Sequence, residues 1–159
     1  MSGAAQGAAE PTDQALLSGL ALASFKLNGQ FLEVAEALAR PAGLTATWWQ
    51  VLGAVIDTPR SVAGVAREMG ITRQSVQRTA DLLVDRHLAE YRDNPAHRRA
   101  KLVVLTDAGR AAMHAINPQH RAFAARLVAG AGRDELAAAL EAVTMLSATL
   151  DRLAAETAP

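Results

Sequence analysis

The chain has 159 residues, half of them hydrophobic and many of those alanine, with 16 basic and 16 acidic side chains. This length suits one domain with helical extensions, and alanine favours helices over a thick sheet sandwich. Cysteine is absent, which excludes disulfides, thiolate metal sites and thiol redox sensing. The start lacks a signal-peptide pattern, and no uncharged apolar run reaches the ~18 residues of a membrane helix. We therefore expect a cytoplasmic protein that makes no use of a membrane.

Residues 1–12 are rich in Gly and Ala without apolar periodicity, and we expect a flexible tail there. Apolar residues then recur at helical spacing, which predicts a helix over 13–40 with Asp13 as its N-cap and Pro41 after its end. Three shorter helices follow, each predicted to begin after a capping hydroxyl: Thr45, Ser61 and Thr72.

Two short β-like runs, Leu88–Arg92 and Lys101–Leu105, flank a polar, turn-rich loop. Such runs predict a β-hairpin. Thr106 is the predicted cap of the helix that follows the hairpin. The sequence thus predicts a mainly α fold with a small β-hairpin, in the order four helices, hairpin and two helices.

A proline and two glycines bear on the prediction of the last two helices. Pro118 should disturb the first of them, which we expect to end near Ala129. Gly130 and Gly132 should form a break before a final helix over about 134–153.

Ala66, Gly70 and Val76 have the spacing of a helix-turn-helix. A small residue lets the two helices approach, glycine permits the left-handed turn, and valine fills the angle between them. The residues expected to complete this small core are Val65, Met69, Ile71 and Thr79.

The second helix of this motif begins with polar side chains and no acid. Arginine can bind guanine O6 and N7, glutamine can pair with adenine N6 and N7, and hydroxyls suit phosphate oxygens. A merely solvated helix face is the alternative, but such a face usually mixes charges. The predicted DNA-contacting residues are Thr72, Arg73, Gln74, Ser75, Gln77 and Arg78.

The hairpin loop carries His97, Arg98 and Arg99, which could place an arginine in the minor groove. An ordinary basic turn is the alternative. From Arg60 to Lys101 there are nine basic and five acidic residues, so 9 − 5 = +4 in a chain whose formal net charge is zero. This asymmetry favours contact with a nucleic acid.

These residues resemble the MarR family of bacterial regulators over roughly Gly43 to Arg110. The similar pieces are Gly43-Leu44-Thr45 with Trp49, Val65-Ala66 through Gly70, Thr72-Arg73-Gln74-Ser75-Val76, Asp85-Arg86-His87-Leu88, Arg92-Asp93-Asn94-Pro95, Arg98-Arg99 and Leu105-Thr106-Asp107-Ala108-Gly109. The resemblance implies a winged helix-turn-helix domain over 43–110, a dimerisation helix over 13–40 and further dimerisation helices over 111–156.

Two positions depart from the family pattern. His97 stands where the family's wing usually carries an Asp two positions before the key arginine, so either Asp93 replaces that acid or His97 meets phosphate itself. His87 stands where the family often has Gly or a short polar residue, which we interpret as a surface variation.

The resemblance implies a homodimer that binds a pseudo-palindromic operator in double-stranded DNA, as a repressor released by a small aromatic or phenolic effector. The apolar stripes of the first and last helices favour dimerisation over an intramolecular bundle. The candidate effector-binding residues are Phe25, Trp48, Trp49 and His114, and the alternative for both tryptophans is core packing.

Other functions have less support from the sequence. We expect neither an enzyme nor a cofactor, because there is no P-loop and no dinucleotide, nucleophile-elbow or zinc motif. No metal is expected, because His114 and His120 do not share a helix face. A winged-helix protein-interaction module without specific DNA binding is the second hypothesis. The arginines and glutamines at the predicted contact positions favour the DNA-binding hypothesis over this one.

Overall fold

The structure is a computed structural model that describes residues 10–157. It has two compact units, one ending at His114 and the other beginning at Ala115. Most of the predicted tail lies outside the described residues, and only 10–12 of it precede the first helix. Among residues 10–157, no helix is long and apolar enough to span a membrane.

The described chain is mainly helical, with one small antiparallel sheet, which confirms the predicted fold class. A short 3-10 turn, Arg40–Ala42, follows the first helix. The helices are α1 Asp13–Ala39, α2 Ala46–Ala54, α3 Val62–Met69, α4 Arg73–Asp85, α5 Asp107–Ala131 and α6 Arg133–Thr157. The strands are β1 Arg60–Ser61, β2 Ala89–Arg92 and β3 Leu102–Leu105.

Hydroxyl caps begin four of the helices as predicted. The side-chain oxygens of Thr45, Ser61 and Thr72 each accept a backbone N–H at 3.2 Å, and that of Thr106 accepts one at 3.1 Å. The predicted cap of α1 is wrong: Thr12 accepts the N–H of Ala15 at 3.2 Å, and Asp13 is the first helical residue. Thr12 has the extended backbone that an N-cap requires, and the charge of Asp13 suits the first turn.

The sheet has the strand order β1-β3-β2. The hairpin of β2 and β3, which we call the wing, is therefore joined by a third strand that the sequence pattern did not reveal. Arg60 pairs with Val103 and Ser61 with Leu102, while Tyr91 of β2 pairs with Val103 on the other side. Two residues are too few to show the alternation by which a strand is recognised. Because β1 leads directly into α3, the sheet ties the wing to the helix-turn-helix.

The helix-turn-helix core forms largely as predicted. Val65 and Val76 are completely buried and Thr79 is buried. Gly70 has φ +63°, and Ile71 donates its backbone N–H to the Ala66 carbonyl at 3.1 Å. The prediction that Ile71 belongs to this core is wrong, because Ile71 remains 40% exposed. It lies in the connection after Gly70 rather than on either helix, so helical spacing did not apply to it.

The end of α4 gives His87 a backbone role that the sequence did not suggest. Its side chain is exposed, as a surface variation would be, but its φ is +57°. The His87 N–H donates to the Val84 carbonyl and the Leu88 N–H to the Leu83 carbonyl, both at 2.9 Å. This is the left-handed C-terminal cap that glycine normally occupies.

Replacing His87 by glycine should therefore stabilise the protein by about 0.5–1 kcal/mol, since glycine takes the left-handed conformation without a Cβ penalty. Urea unfolding followed by circular dichroism measures the change. His87→Ala is the control and should give no gain, because alanine retains the Cβ. Equal stability of the two variants would show that the left-handed conformation of residue 87 imposes no strain on a residue with a Cβ.

In the second unit, the expected break between the last two helices is present at Gly132, and the expected disturbance at Pro118 does not end α5. Pro118 lies inside α5 without ending it, and the helix continues through Gly130 to Ala131. One proline removes one N–H donor, and a helix that is long on both sides retains its other bonds. Gly132, with φ +89°, is the residue that separates α5 from α6.

Candidate nucleic-acid interface

The N-terminal half of α4 presents the predicted DNA-reading face. Thr72, Arg73, Gln74, Ser75 and Arg78 are exposed, Gln77 is half-buried, and Val76 alone of the segment is buried in the core. The first turn of α4 contains no acid. The buried valine therefore fixes the helix while the polar side chains on its outer side remain accessible.

A groove of about 360 Å³ lies between this helix and the wing, within the unit that ends at His114. Three cationic side chains line it and no acidic one does, so it suits an anionic backbone such as DNA phosphate. Its lining residues are Ser61, Val62, Ala63, Arg73, Gln77, Tyr91, Arg99, Ala100 and Lys101.

The groove brings together Arg73 and Gln77 of the predicted recognition helix with Arg99 of the predicted wing. Sequence reasoning missed Lys101, Tyr91 and the start of α3. The unrecognised strand β1 explains these omissions in part, because its pairing with β3 draws the start of α3 towards the wing. The signal available in the sequence was the basic charge of Lys101 directly before β3.

The wing loop is ordered by Asn94. The side-chain Oδ1 of Asn94 accepts the backbone N–H of Ala96 at 3.0 Å, and the backbone carbonyl of Asn94 accepts the N–H of His97 at 3.2 Å. Within residues 10–157, the ion pairs join Arg60 to Glu68 and Arg92 to Glu90, so Asp93 does not brace a wing arginine. His97, Arg98 and Arg99 are all exposed, and the two guanidinium groups are available to a partner.

A ring of three hydrogen bonds joins α4 to β2. The Gln77 Nε2 donates to Asp81 Oδ1 at 2.9 Å and to the Tyr91 hydroxyl at 2.8 Å, and that hydroxyl donates to Asp81 Oδ1 at 2.7 Å. Burial raises the pKa of Tyr91 well above its ordinary value, and the nearby Asp81 raises it further. The hydroxyl therefore retains its proton over the physiological pH range.

Tyr91 is the single tyrosine of the chain, so its ionisation can be followed by the ultraviolet absorbance of the phenolate. In denaturant the phenolate should appear near pH 10, and in the folded protein only at clearly higher pH. The folded state binds the Tyr91 proton more tightly than the unfolded state does. The stability that Tyr91 contributes is therefore complete below pH ~10 and is lost as the pH rises further. Coincident folded and denatured titration curves would contradict the hydrogen-bonded ring.

The predicted effector-binding residues line neither of two grooves beside α2. Phe25 is 73% exposed on α1, Trp48 and Trp49 are half-buried, and His114 is exposed. The Arg86 guanidinium lies 5.4 Å from the ring centroid of Trp48, a cation–π contact that gives this tryptophan a structural role. Those grooves, of about 680 and 400 Å³, are lined by other residues: Leu32, Glu33, Glu36, Ala37, Arg40, Pro41, Ala46 and Thr47 in one, and Asn28, Leu32, Gln50, Ala54, Glu68, Met69 and Ile71 in the other.

In the part of the chain that the structure describes, no group of three His, Asp or Glu side chains is arranged to hold a metal ion.

Comparison with known sequences finds a family match for the segment that contains α4 and all the groove residues except Lys101. Residues 42–100 match the model of the MarR family. Uncharacterized proteins of Mycobacterium tuberculosis and Mycobacterium bovis are each 45% identical over 92 residues. That alignment covers 58% of this chain and 64% of each relative, so it spans less than two thirds of their length.

Solved structures share the fold over most of the chain. A MarR family transcription regulator has a TM-score of 0.73 at 23% identity, covering 91% of this chain and 97% of its own. The transcriptional repressor CouR, bound to a 23-mer DNA duplex, has a TM-score of 0.71 at 26% identity, covering 87% and 99%. A mutant MarR from E. coli, complexed with operator DNA, has a TM-score of 0.71 at 19% identity, covering 80% and 93%.

Proposed function

We propose that this chain, whose residues 42–100 match the MarR family and whose fold is that of MarR family transcription regulators, is a sequence-specific DNA-binding regulator that acts as a homodimer. The observation that carries the proposal is the acid-free groove in which Arg73, Arg99 and Lys101 lie between an exposed helix face and the wing. A basic groove of this kind attracts the phosphate backbone of DNA.

In the proposed complex α4 enters the major groove and its first turns meet base edges. Arg73 would bind guanine through O6 and N7, and Thr72 and Ser75 would contact phosphate. The exposed Arg98 and Arg99 of the wing would reach the adjacent minor groove, where a narrow groove concentrates negative potential. The two DNA-bound structures with this fold support such a geometry by likeness alone.

Dimerisation is proposed from apolar residues that the single chain leaves exposed. On α1, Leu17, Leu22 and Phe25 are exposed and Ala39 alone is buried. In the other unit, α6 buries no residue, and Leu140 and Val143 are exposed. Long apolar stripes of this kind need a covering partner. A second copy would supply it and would present two recognition helices to half-sites about one helical turn apart.

A change on α6 tests the dimer. Glutamates in place of Leu140 and Val143 should shift the protein from dimer to monomer in sedimentation equilibrium, since charges on an apolar interface are costly to bury. Glu141→Lys, which lies about 100° around the helix from Leu140, is the control and should leave the dimer intact. A dimer that is unaffected by the double substitution would exclude α6 from the interface.

We further propose that the regulator is a repressor and that a small aromatic or phenolic ligand releases it from DNA. The repressor CouR, at 26% identity, supports the first part. A Staphylococcus aureus MarR solved with salicylate and kanamycin suggests the ligand class by analogy of fold alone. For this chain, Phe25, Trp48, Trp49 and His114 stay predicted effector contacts.

A binding titration tests the central proposal. The purified protein is titrated with the DNA that flanks its own gene and with random DNA, each at two salt concentrations. Tight, selective and salt-sensitive binding is expected. Weak and equal binding to both DNAs, and to genomic fragments, would contradict the proposal and favour the winged-helix interaction module.

A further inference from the structure

We infer that Gln77 contacts a base of the operator as a hydrogen-bond acceptor alone, through its Oε1, because Asp81 and Tyr91 already occupy its amide nitrogen. The inference rests on the proposed function and names part of its sequence specificity. It differs from the ordinary expectation for a glutamine in a recognition helix, which is pairing with adenine as donor and acceptor together.

The orientation of the Gln77 amide follows from the chemistry of its partners. The Asp81 carboxylate can only accept hydrogen bonds, and Tyr91 gives its single hydroxyl proton to that carboxylate at 2.7 Å. Both partners therefore require an N–H from Gln77, at 2.9 and 2.8 Å. An amide has two such hydrogens, so the donor capacity of Gln77 is used up.

Gln77 is nevertheless placed among the predicted DNA-reading residues. It lines the basic groove with Arg73 and Arg99, and a second groove with Gln74 and Arg78. Of its polar atoms, the carbonyl Oε1 is the one that still has capacity for a bond to DNA. Tyr91 and Asp81 act as positioning residues, since they hold the amide without needing to touch a base themselves.

The chemistry of the major groove then limits what Gln77 can recognise. Adenine N6 and cytosine N4 are the amino donors on its base edges, while guanine and thymine present acceptors. An acceptor-only Gln77 should accept adenine or cytosine at one position and disfavour guanine or thymine. The N7 atom of adenine should contribute nothing, because no N–H is left to bind it.

The experiment begins with selection of tight-binding duplexes from a randomised library. The wild type and Gln77→Ala are compared, and the position at which the variant loses preference identifies the contacted base pair. We expect the wild type to favour adenine or cytosine there over guanine or thymine by about tenfold. Selective binding with a Gln77→Ala profile identical to wild type at every position would overturn the inference.

Base analogues at that position then separate the two hydrogen-bonding modes. With adenine in place, 7-deazaadenine keeps the N6 amino group and lacks N7, while purine lacks the amino group. The wild type should bind the 7-deaza duplex as tightly as the adenine duplex and the purine duplex several-fold more weakly. Weakening of the wild type by the 7-deaza substitution would overturn the inference.

Variants of the positioning residues provide a readout that a purely structural role would not change. Asp81→Ala, and as a milder change Tyr91→Phe, free an N–H of Gln77, so both should become sensitive to loss of N7. If neither acquires this sensitivity while still binding selectively, Asp81 and Tyr91 do not determine the mode. Absence of selective binding by the wild type to any duplex is a separate result, which would refute the proposed function itself.

Discussion

Alanine in place of Gly109 is expected to destabilise the winged-helix unit by more than about 3 kcal/mol, which is beyond most overpacking substitutions. A Cβ at this position would lie 2.0 Å from the carbonyl oxygen of Leu88 and 3.0 Å from its carbonyl carbon. Real Cβ atoms essentially never approach another heavy atom so closely. The first turn of α5 therefore requires glycine at the point where it meets the end of α4.

The neighbouring backbone cannot move aside at low cost. The Leu88 carbonyl accepts the Thr106 N–H at 3.2 Å, and the Thr106 hydroxyl donates to the His87 carbonyl at 2.7 Å. His87 is itself held in the left-handed cap of α4. Relief of the clash would break at least one of these hydrogen bonds, so most of the strain would remain in the folded state.

Urea unfolding monitored by circular dichroism measures this effect. Gly53→Ala is the matched control, because a Cβ at Gly53 of α2 would meet nothing closer than Met113 Cε at 3.9 Å. That control should be neutral or stabilising by up to about 1 kcal/mol, as alanine is the better helix former. A Gly109→Ala protein within 1 kcal/mol of the wild type would show that the α4–α5 junction can open.

Loss of the Arg73 side chain should cost operator binding about 1–3 kcal/mol and relax the base preference at one position. Arg73 is exposed on the first turn of α4 and lines the basic groove. Arg99→Ala should weaken binding with less change in base preference, because a wing arginine responds mainly to phosphate and groove width. Lys101→Ala should behave as a phosphate contact and lower the slope of log K against log salt by about 1.

Fluorescence anisotropy titrations with operator and random duplexes at several salt concentrations would measure these effects. Arg133→Ala is the charge-matched control: Arg133 is an exposed residue at the start of α6, and its loss should leave specificity unchanged. Unaltered operator binding by Arg73→Ala would mean that α4 is not the recognition helix.

Local signals made most of the fold predictable. A hydroxyl residue placed directly before an apolar-periodic segment correctly predicted the caps Thr45, Ser61, Thr72 and Thr106. At the first helix, Thr12 and Asp13 are both good capping residues, and the sequence alone did not decide between them. The expected disturbance at Pro118 does not end α5, because the helical turns on both sides offset the cost of about 3 kcal/mol that an interior proline imposes.

The parts that could not be predicted depend on contacts between distant residues. The pairing of Arg60 with Val103 joins segments that no periodicity connects, so β1 and the place of Lys101 in the groove were missed. Gln77 was predicted to contact DNA because it is a polar residue of α4, and the structure places it in the lining of the basic groove. The hydrogen bond from Gln77 to Tyr91, 14 residues away in β2, depends on the fold of the hairpin. This bond uses one of the two N–H donors of the Gln77 amide.

The strand at the centre of the sheet, β3, is the last of the three along the chain. Its pairing with β1 closes a loop of roughly 40 residues that contains α3, α4 and β2, and the entropy of that closure has to be recovered by contacts formed at the same time. During synthesis, α3 and α4 leave the ribosome before Leu105 does. A nascent chain would therefore expose α4 for a time without the groove, and under the proposed function it would bind DNA only after β3 completes the sheet.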